Sequence, residues 1–232
     1  MIERYSITAT PDQLAERFSV DVPEFYRPHY NAAPTQLLPI ITAAAPKGLS
    51  VFYWGTSPEW SKNKMPAEKT INIRTEYFDE KPAVRRALMR SRCIIPADGF
   101  YAWKKVGKKT SIPYRFVLVS RDLFGVAGLW EEWEDTDGKE MHTFSVITRP
   151  ANDVVFSISE RMPVILSREN ESVWLNPAST ENDLLGIVNT ETISPVNFYP
   201  VSPGISNTAY DAASMIIPTP PVDQHGNLTL FD

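Results

Sequence analysis

The chain has 232 residues, 43% of them hydrophobic, 11% aromatic and 22% charged, a composition that excludes disorder along its whole length and suits a protein with a sizeable core. Twenty prolines against ten glycines exclude a bundle of long helices, and the single cysteine, Cys93, excludes an intrachain disulfide and a multi-cysteine metal site. The net charge of −5 argues against a strongly basic nucleic-acid binder, although residues 131–140 (EEWEDTDGKE) carry that whole excess and leave the rest of the chain neutral.

In chain order, Thr10-Pro11-Asp12-Gln13 predicts a helix: a capping threonine, a proline at the first helical position, an acid in the first turn and a glutamine completing a capping box. Leu14 and Phe18 supply its apolar side, and Pro23 ends it by Val22. Residues 23–36 read as loop. Leu37–Ala43 and Leu49–Tyr53 read as strands joined by a turn at Pro46-Lys47-Gly48, and Trp54–Thr70 as a long surface loop. A helix runs from Pro82 through Arg90 with Val84, Leu88 and Met89 facing inward. Strands then follow at Arg92–Ile95, Phe100–Val106, Pro113–Val119, Gly125–Trp130 and Met141–Thr148, with turns at Gly107-Lys108-Lys109 and Asp137-Gly138. Met162–Leu166 is a further strand. Ser167 caps a short helix through Trp174 and Thr180 another through Val188. The tail from Ser202 is rich in proline and asparagine, with one apolar patch at Met215–Ile217. These elements predict one α+β domain over residues 1–232, a curved, mainly antiparallel sheet with a barrel-like core and peripheral helices.

His29, His142 and His225 stand in no metal-ligand spacing, so no metal is expected. No phosphate loop, dinucleotide fingerprint or serine-nucleophile elbow occurs, so no cofactor is expected either. The absence of a basic-then-apolar start and of a long apolar run reads as a soluble, cytoplasmic protein with no membrane partner. Two cationic runs, Arg85, Arg86, Arg90 and Arg92, then Lys104, Lys105, Lys108 and Lys109, make either a local positive surface or the solvated faces of a helix and a hairpin.

Five short islands remain: Tyr30-Asn31-Ala32-Ala33-Pro34, Trp54-Gly55-Thr56-Ser57-Pro58-Glu59-Trp60, Asn72-Ile73-Arg74-Thr75-Glu76, Arg92 through Trp103 (RCIIPADGFYAW), and Ile158-Ser159-Glu160-Arg161-Met162-Pro163. In this order and spacing, from Arg4-Tyr5 to about Ser202, the chain resembles the SOS-response-associated peptidase (SRAP) family, the abasic-site processing proteins of the DNA damage response; residues 203–232 form a tail beyond it. The resemblance implies the family's fold and a partner in single-stranded or abasic DNA. It also implies a chemistry in which methionine removal exposes a cysteine. The amine and thiol of that residue attack the ring-opened sugar aldehyde, giving a thiazolidine DNA–protein crosslink.

Three departures bear on that chemistry. The family begins Met-Cys-Gly-Arg-(Tyr/Phe), whereas this chain reads Met1-Ile2-Glu3-Arg4-Tyr5, with no thiol at position 2 and a bulky residue that normally keeps Met1 in place. The family's Gly-(Phe/Trp)-(Tyr/Phe)-Glu-Trp becomes Gly99-Phe100-Tyr101-Ala102-Trp103. Its Ile-His-(Asp/Glu)-Arg-Met-Pro becomes Ile158-Ser159-Glu160-Arg161-Met162-Pro163. Ile2, Ala102 and Ser159 thus occupy the nucleophile, glutamate and histidine positions. Cys93 cannot substitute, since the ring needs amine and thiol on one residue. The chain reads as a pseudoenzyme that keeps binding residues. Asn72 donates to a sugar or phosphate oxygen or orders its loop, and Arg74 and Arg161 clamp phosphate or pair with Glu76 or Glu160. Arg4 is similar to them; Trp60, with Pro58, stacks on bases or packs; Asn31 and Pro34 shape a loop with DNA contact secondary. Noncovalent DNA binding is one expectation. A fold turned to protein or small-molecule binding is the other, and it would be favoured by an acidic 131–140 hairpin beside the cleft.

Overall fold

The structure is a computed structural model that describes residues 2–55, 71–134, 140–190, 195–223 and 225–228. The strands, in order, are β1 (Tyr5–Ile7), β2 (His29–Ala32), β3 (Leu37–Thr42), β4 (Ala45–Trp54), β5 (Asn72–Arg74), β6 (Arg92–Ala97), β7 (Gly99–Lys105), β8 (Ser111–Leu118), β9 (Phe124–Glu134), β10 (Glu140–Pro150), β11 (Arg161–Pro163), β12 (Ile165–Leu166) and β13 (Val196–Pro200). The helices are α1 (Pro11–Phe18), α2 (Tyr77–Glu80), α3 (Pro82–Arg90), α4 (Asp153–Phe156), α5 (Arg168–Leu175) and α6 (Glu181–Asn189), followed by two 3-10 turns at Pro203–Ser206 and Ala213–Ile216.

Five strands close on themselves. β10 pairs in parallel with β4 and antiparallel with β9, and the ring β9–β6–β3–β4 is antiparallel throughout. Alternation along each strand divides the barrel's two faces. Leu38, Ile40, Cys93, Ile95, Phe144 and Val146 join one core cluster, where Trp54 stacks 6.2 Å from Phe144 and meets Tyr5 edge-on at 5.4 Å. Ile41, Ile94, Ala127, Leu129 and Ile147 pack instead beneath Phe78, Leu88, Trp174 and Leu184 of the helices. Gly128 is needed where β9 crosses β6: a Cβ there would lie 2.7 Å from Ile95 Cδ1 and 2.9 Å from Cys93 Sγ. The second sheet, β13–β8–β7–β1–β2, is antiparallel throughout. Phe100 and Phe116 stack at 4.9 Å on its inner side, and Tyr101 on the other joins Val201, Ile205 and Met215 of the tail.

Local signals explain the helices. Thr10 and Gln13 make the reciprocal capping box, Ser167 accepts from Asn170 N, and Thr180 with Asp183 forms a second box. Several boundaries differ from expectation. The β3–β4 turn falls at Ala43-Ala44, because Thr42 pairs with Ala45 and its Oγ1 accepts from Ala45 N at 3.1 Å. Pro46 to Gly48 lie within β4, where Gly48 bridges Asp21 and the Lys47 carbonyl accepts from Asp21 N. Trp54 is strand and fully buried, not loop. Met89 is 37% exposed, not inward-facing. Residues 23–36 contain β2, which four residues after two prolines do not announce. The 162–166 strand divides at Val164, where pairing switches from β10 to β9. Met215 is buried but Ile217 exposed. The Asp137-Gly138 turn lies outside the described residues, while the strands flanking it pair from Glu134 opposite Glu140. Among the described residues, no helix is long and apolar enough to cross a membrane.

Candidate functional site

A cleft of about 770 Å3 opens where β7, the end of β5 and the 157–161 segment meet. Ala102, Trp103, Lys104 and Lys105 form one wall; Ser157, Ile158, Ser159, Glu160 and Arg161 form another; Arg74 and Glu3 complete it. Four cations thus face two carboxylates among the described lining residues, a local positive balance in an acidic chain.

Asn72 sits behind this cleft. β5 pairs in parallel with β10, and that register buries Asn72 to 1% exposure. Its Nδ2 donates to the Ile2 carbonyl at 2.9 Å, and its Oδ1 is buried without a hydrogen-bond partner among the described residues. Ile2 is itself buried in the core. Ala102 shares the inner side of β7 with Phe100, and its methyl offers no proton. Ser159 Oγ donates to the Arg161 carbonyl at 2.9 Å and accepts from Arg161 N, so it closes a local turn as well as lining the cleft. Cys93 is enclosed in the barrel, and burial pushes its thiol far above the usual range, so it carries no thiolate near neutral pH.

Arg161 is fully engaged. Nη1 and Nη2 donate to the two Glu76 oxygens at 2.7 and 2.9 Å, Nη2 also donates to the Thr148 carbonyl, and Nε donates to Thr148 Oγ1. The hydrogen bond from Arg161 holds the Glu76 carboxyl at about 2, well below its ordinary value.

The remaining candidates separate from this group. Arg4 is 7% exposed; Nη1 donates to the Glu3 carbonyl and Nη2 to the Ser206 carbonyl of the tail, while Nε has no partner among the described residues. Burial lowers its pKa. Asn31 also faces the tail, its Nδ2 donating to the carbonyls of Asn207 and Tyr210. Asp211 accepts from the Tyr30 and Asn31 amides and pairs with His29 at 3.0 Å. Pro34 shapes the β2–β3 turn, where Thr35 takes a positive φ of 70°. Trp60 and Pro58 lie outside the described residues. The acidic hairpin leaves from Glu134 and Glu140, whereas Arg161 pairs with Pro150 at the other end of β10. That strand separates Glu140 from Pro150 by roughly 30 Å, whereas Glu131, opposite Thr143, lies about 17 Å along it from Thr148, the partner of the cleft's Arg74. Among the described residues, no group of three or more His, Cys, Asp or Glu side chains could hold a metal ion.

Of the two acids the sequence offers Arg161, Glu76 or Glu160, the structure takes Glu76; the tail as the neighbour of Arg4 and Asn31 escaped sequence reasoning, since it depends on long-range contacts. Lys104 and Lys105 were visible as a cationic run, and strand geometry turns both into cleft lining.

Comparison with known proteins agrees with this architecture. The family described as SOS response associated peptidase (SRAP) matches residues 1–208. The chain is 43% identical over 189 residues to "Abasic site processing protein YoqW" of Bacillus subtilis, covering 80% of this chain and 84% of that one. It is 28% identical over 229 residues to "Abasic site processing protein HMCES" of Gallus gallus, covering 83% and 67%. A crystal structure of a protein from Bacteroides thetaiotaomicron superposes with a TM-score of 0.80 at 25% identity, covering 93% of this chain and 99% of that one.

Proposed function

The chain belongs to the SOS response associated peptidase family, and from that premise we propose that it binds single-stranded DNA, including strands with an abasic site, without forming a covalent bond to them. The observation that carries this reading is the cleft itself. Arg74 and Arg161 line it with Ala102 and Ser159, and Asn72 bonds the Ile2 carbonyl in the core beside it, so cations for a strand are kept while the three positions that would handle nucleophile and proton carry none. Thiazolidine formation needs an amine and a thiol on one residue. Isoleucine at position 2 supplies no sulfur, and the Cys93 thiol is buried and protonated. Backbone recognition falls to Arg74 and Arg161, because forked guanidinium donors match phosphate oxygens, while Arg4 is buried and tied to the tail through Ser206.

The other reading, a fold turned to protein or small-molecule binding, would gain from acids crowding the cleft. The acids of that hairpin begin about 17 Å from the cleft along β10 and run away from it, two or more screening lengths of about 8 Å at physiological salt, which weighs for the DNA reading. The experiment is a salt titration of binding to a labelled single strand. Two phosphate contacts give a log–log slope of about −1.4, at about −0.7 per contact. No binding at about 20 mM salt, where the screening length exceeds 20 Å, would refute the proposal.

A further inference from the structure

Phe156, the last residue of α4, is 63% exposed although its backbone is firmly held. Val155 beside it is fully buried, and Ile158 packs against the same core. Asn152 Oδ1 accepts from Val155 N at 3.0 Å, Phe156 N donates to the Asn152 carbonyl at 2.8 Å, and Ser159 N to the Val155 carbonyl at 2.8 Å. The ring therefore projects from a rigid mount, and the residues that follow it, Ser157 through Arg161, are the cleft wall. A lone exposed apolar side chain needs no explanation. This one has Val154, 41% exposed, beside it, and the next residue in the chain, Ser157, lines a cleft with a cationic excess. Single-strand sites combine those two features, a cationic groove for the backbone and an aromatic face for a base.

We propose that Phe156 is a base-stacking residue, taking the face of one base of the strand whose phosphates lie along the cleft. The proposal rests on the DNA-binding reading above. A phenyl ring has no donor or acceptor, so the contact is indifferent to base identity but requires that a base be present. The test measures binding of wild type, Phe156→Ala and Phe156→Trp to a short unmodified single strand and to the same strand with every base removed. Phe156→Ala should weaken binding to the unmodified strand about 5- to 150-fold, which is about 1–3 kcal/mol, with the salt slope unchanged because no charge is lost. Phe156→Trp should keep or tighten it, and the base-free strand should bind wild type and Phe156→Ala alike. Unfolding midpoints should match, since the ring is mostly in water. Wild-type binding that Phe156→Ala leaves intact, or weakens equally on the base-free strand, overturns this proposal alone. Wild type that binds neither strand overturns it together with the DNA reading.

Discussion

Glu76 restrains Arg161 with both carboxylate oxygens, so the guanidinium reaches a phosphate only by sharing or leaving that partner. Glu76→Gln keeps the shape and removes the charge. It should tighten single-strand binding severalfold and steepen the salt slope, whereas Arg161→Ala should flatten the slope by about 0.7 and weaken all sequences equally. The same pair has a pH signature. A carboxyl depressed to about 2 contributes fully above its ordinary range near 4.5 and loses its contribution as pH falls through 2, so the pair is intact across pH 5–8. In Arg161→Ala, carboxyl NMR titration should find Glu76 back near its ordinary value. Because the Glu76 side chain is 46% exposed, the accompanying stability change should stay below about 1 kcal/mol. Restoring the chemistry is a matter of residues too: Ile2→Cys alone should restore little, while Ile2→Cys combined with Glu3→Gly, Ala102→Glu and Ser159→His should yield a heat-stable adduct with abasic DNA.

β9 and β10 are the elements on which the site depends, since β10 carries β5 and β11 on its flank and β9 closes the barrel beside it. Gly128→Ala would push a methyl into Ile95 and Cys93 and against the Ser145 carbonyl, a backbone atom that cannot swing aside. It should cost about 1–3 kcal/mol, read as a lower denaturant midpoint. The tail is fastened through Asp211, so Asp211→Ala should speed hydrogen exchange at the Tyr30 and Asn31 amides. Legibility divided along the same lines. Thr10, Ser167 and Thr180 announced their helices because capping is local, and the long strands showed in their alternation. Short β1, β2 and β5 have too few residues to display a period, and barrel closure depends on which strand meets which. Of the site, Asn72, Arg74, Ala102, Ser159 and Arg161 were legible through family motifs and Glu76 stood as one of two possible partners of Arg161, whereas Arg4's tail contact and the exposure of Phe156 depend on long-range packing.

Charge at the scale of the molecule reconciles an acidic protein with a polyanionic partner. The excess of −5 matches residues 131–140 alone, and their strands leave from the far end of β10, while the cleft lining carries four cations against two carboxylates, with Glu76 paired to Arg161 as a third acid. Long-range repulsion should slow approach at low salt and fade with screening, leaving modest affinity set by the cleft. The most direct measurement incubates the protein with single strands bearing one abasic site and runs the products side by side on native and denaturing gels. The expected result is a shifted complex on the native gel that heat and denaturant dissolve completely. An adduct that survives denaturation would contradict the account, because it would require a nucleophile that Ile2 and the buried Cys93 do not provide.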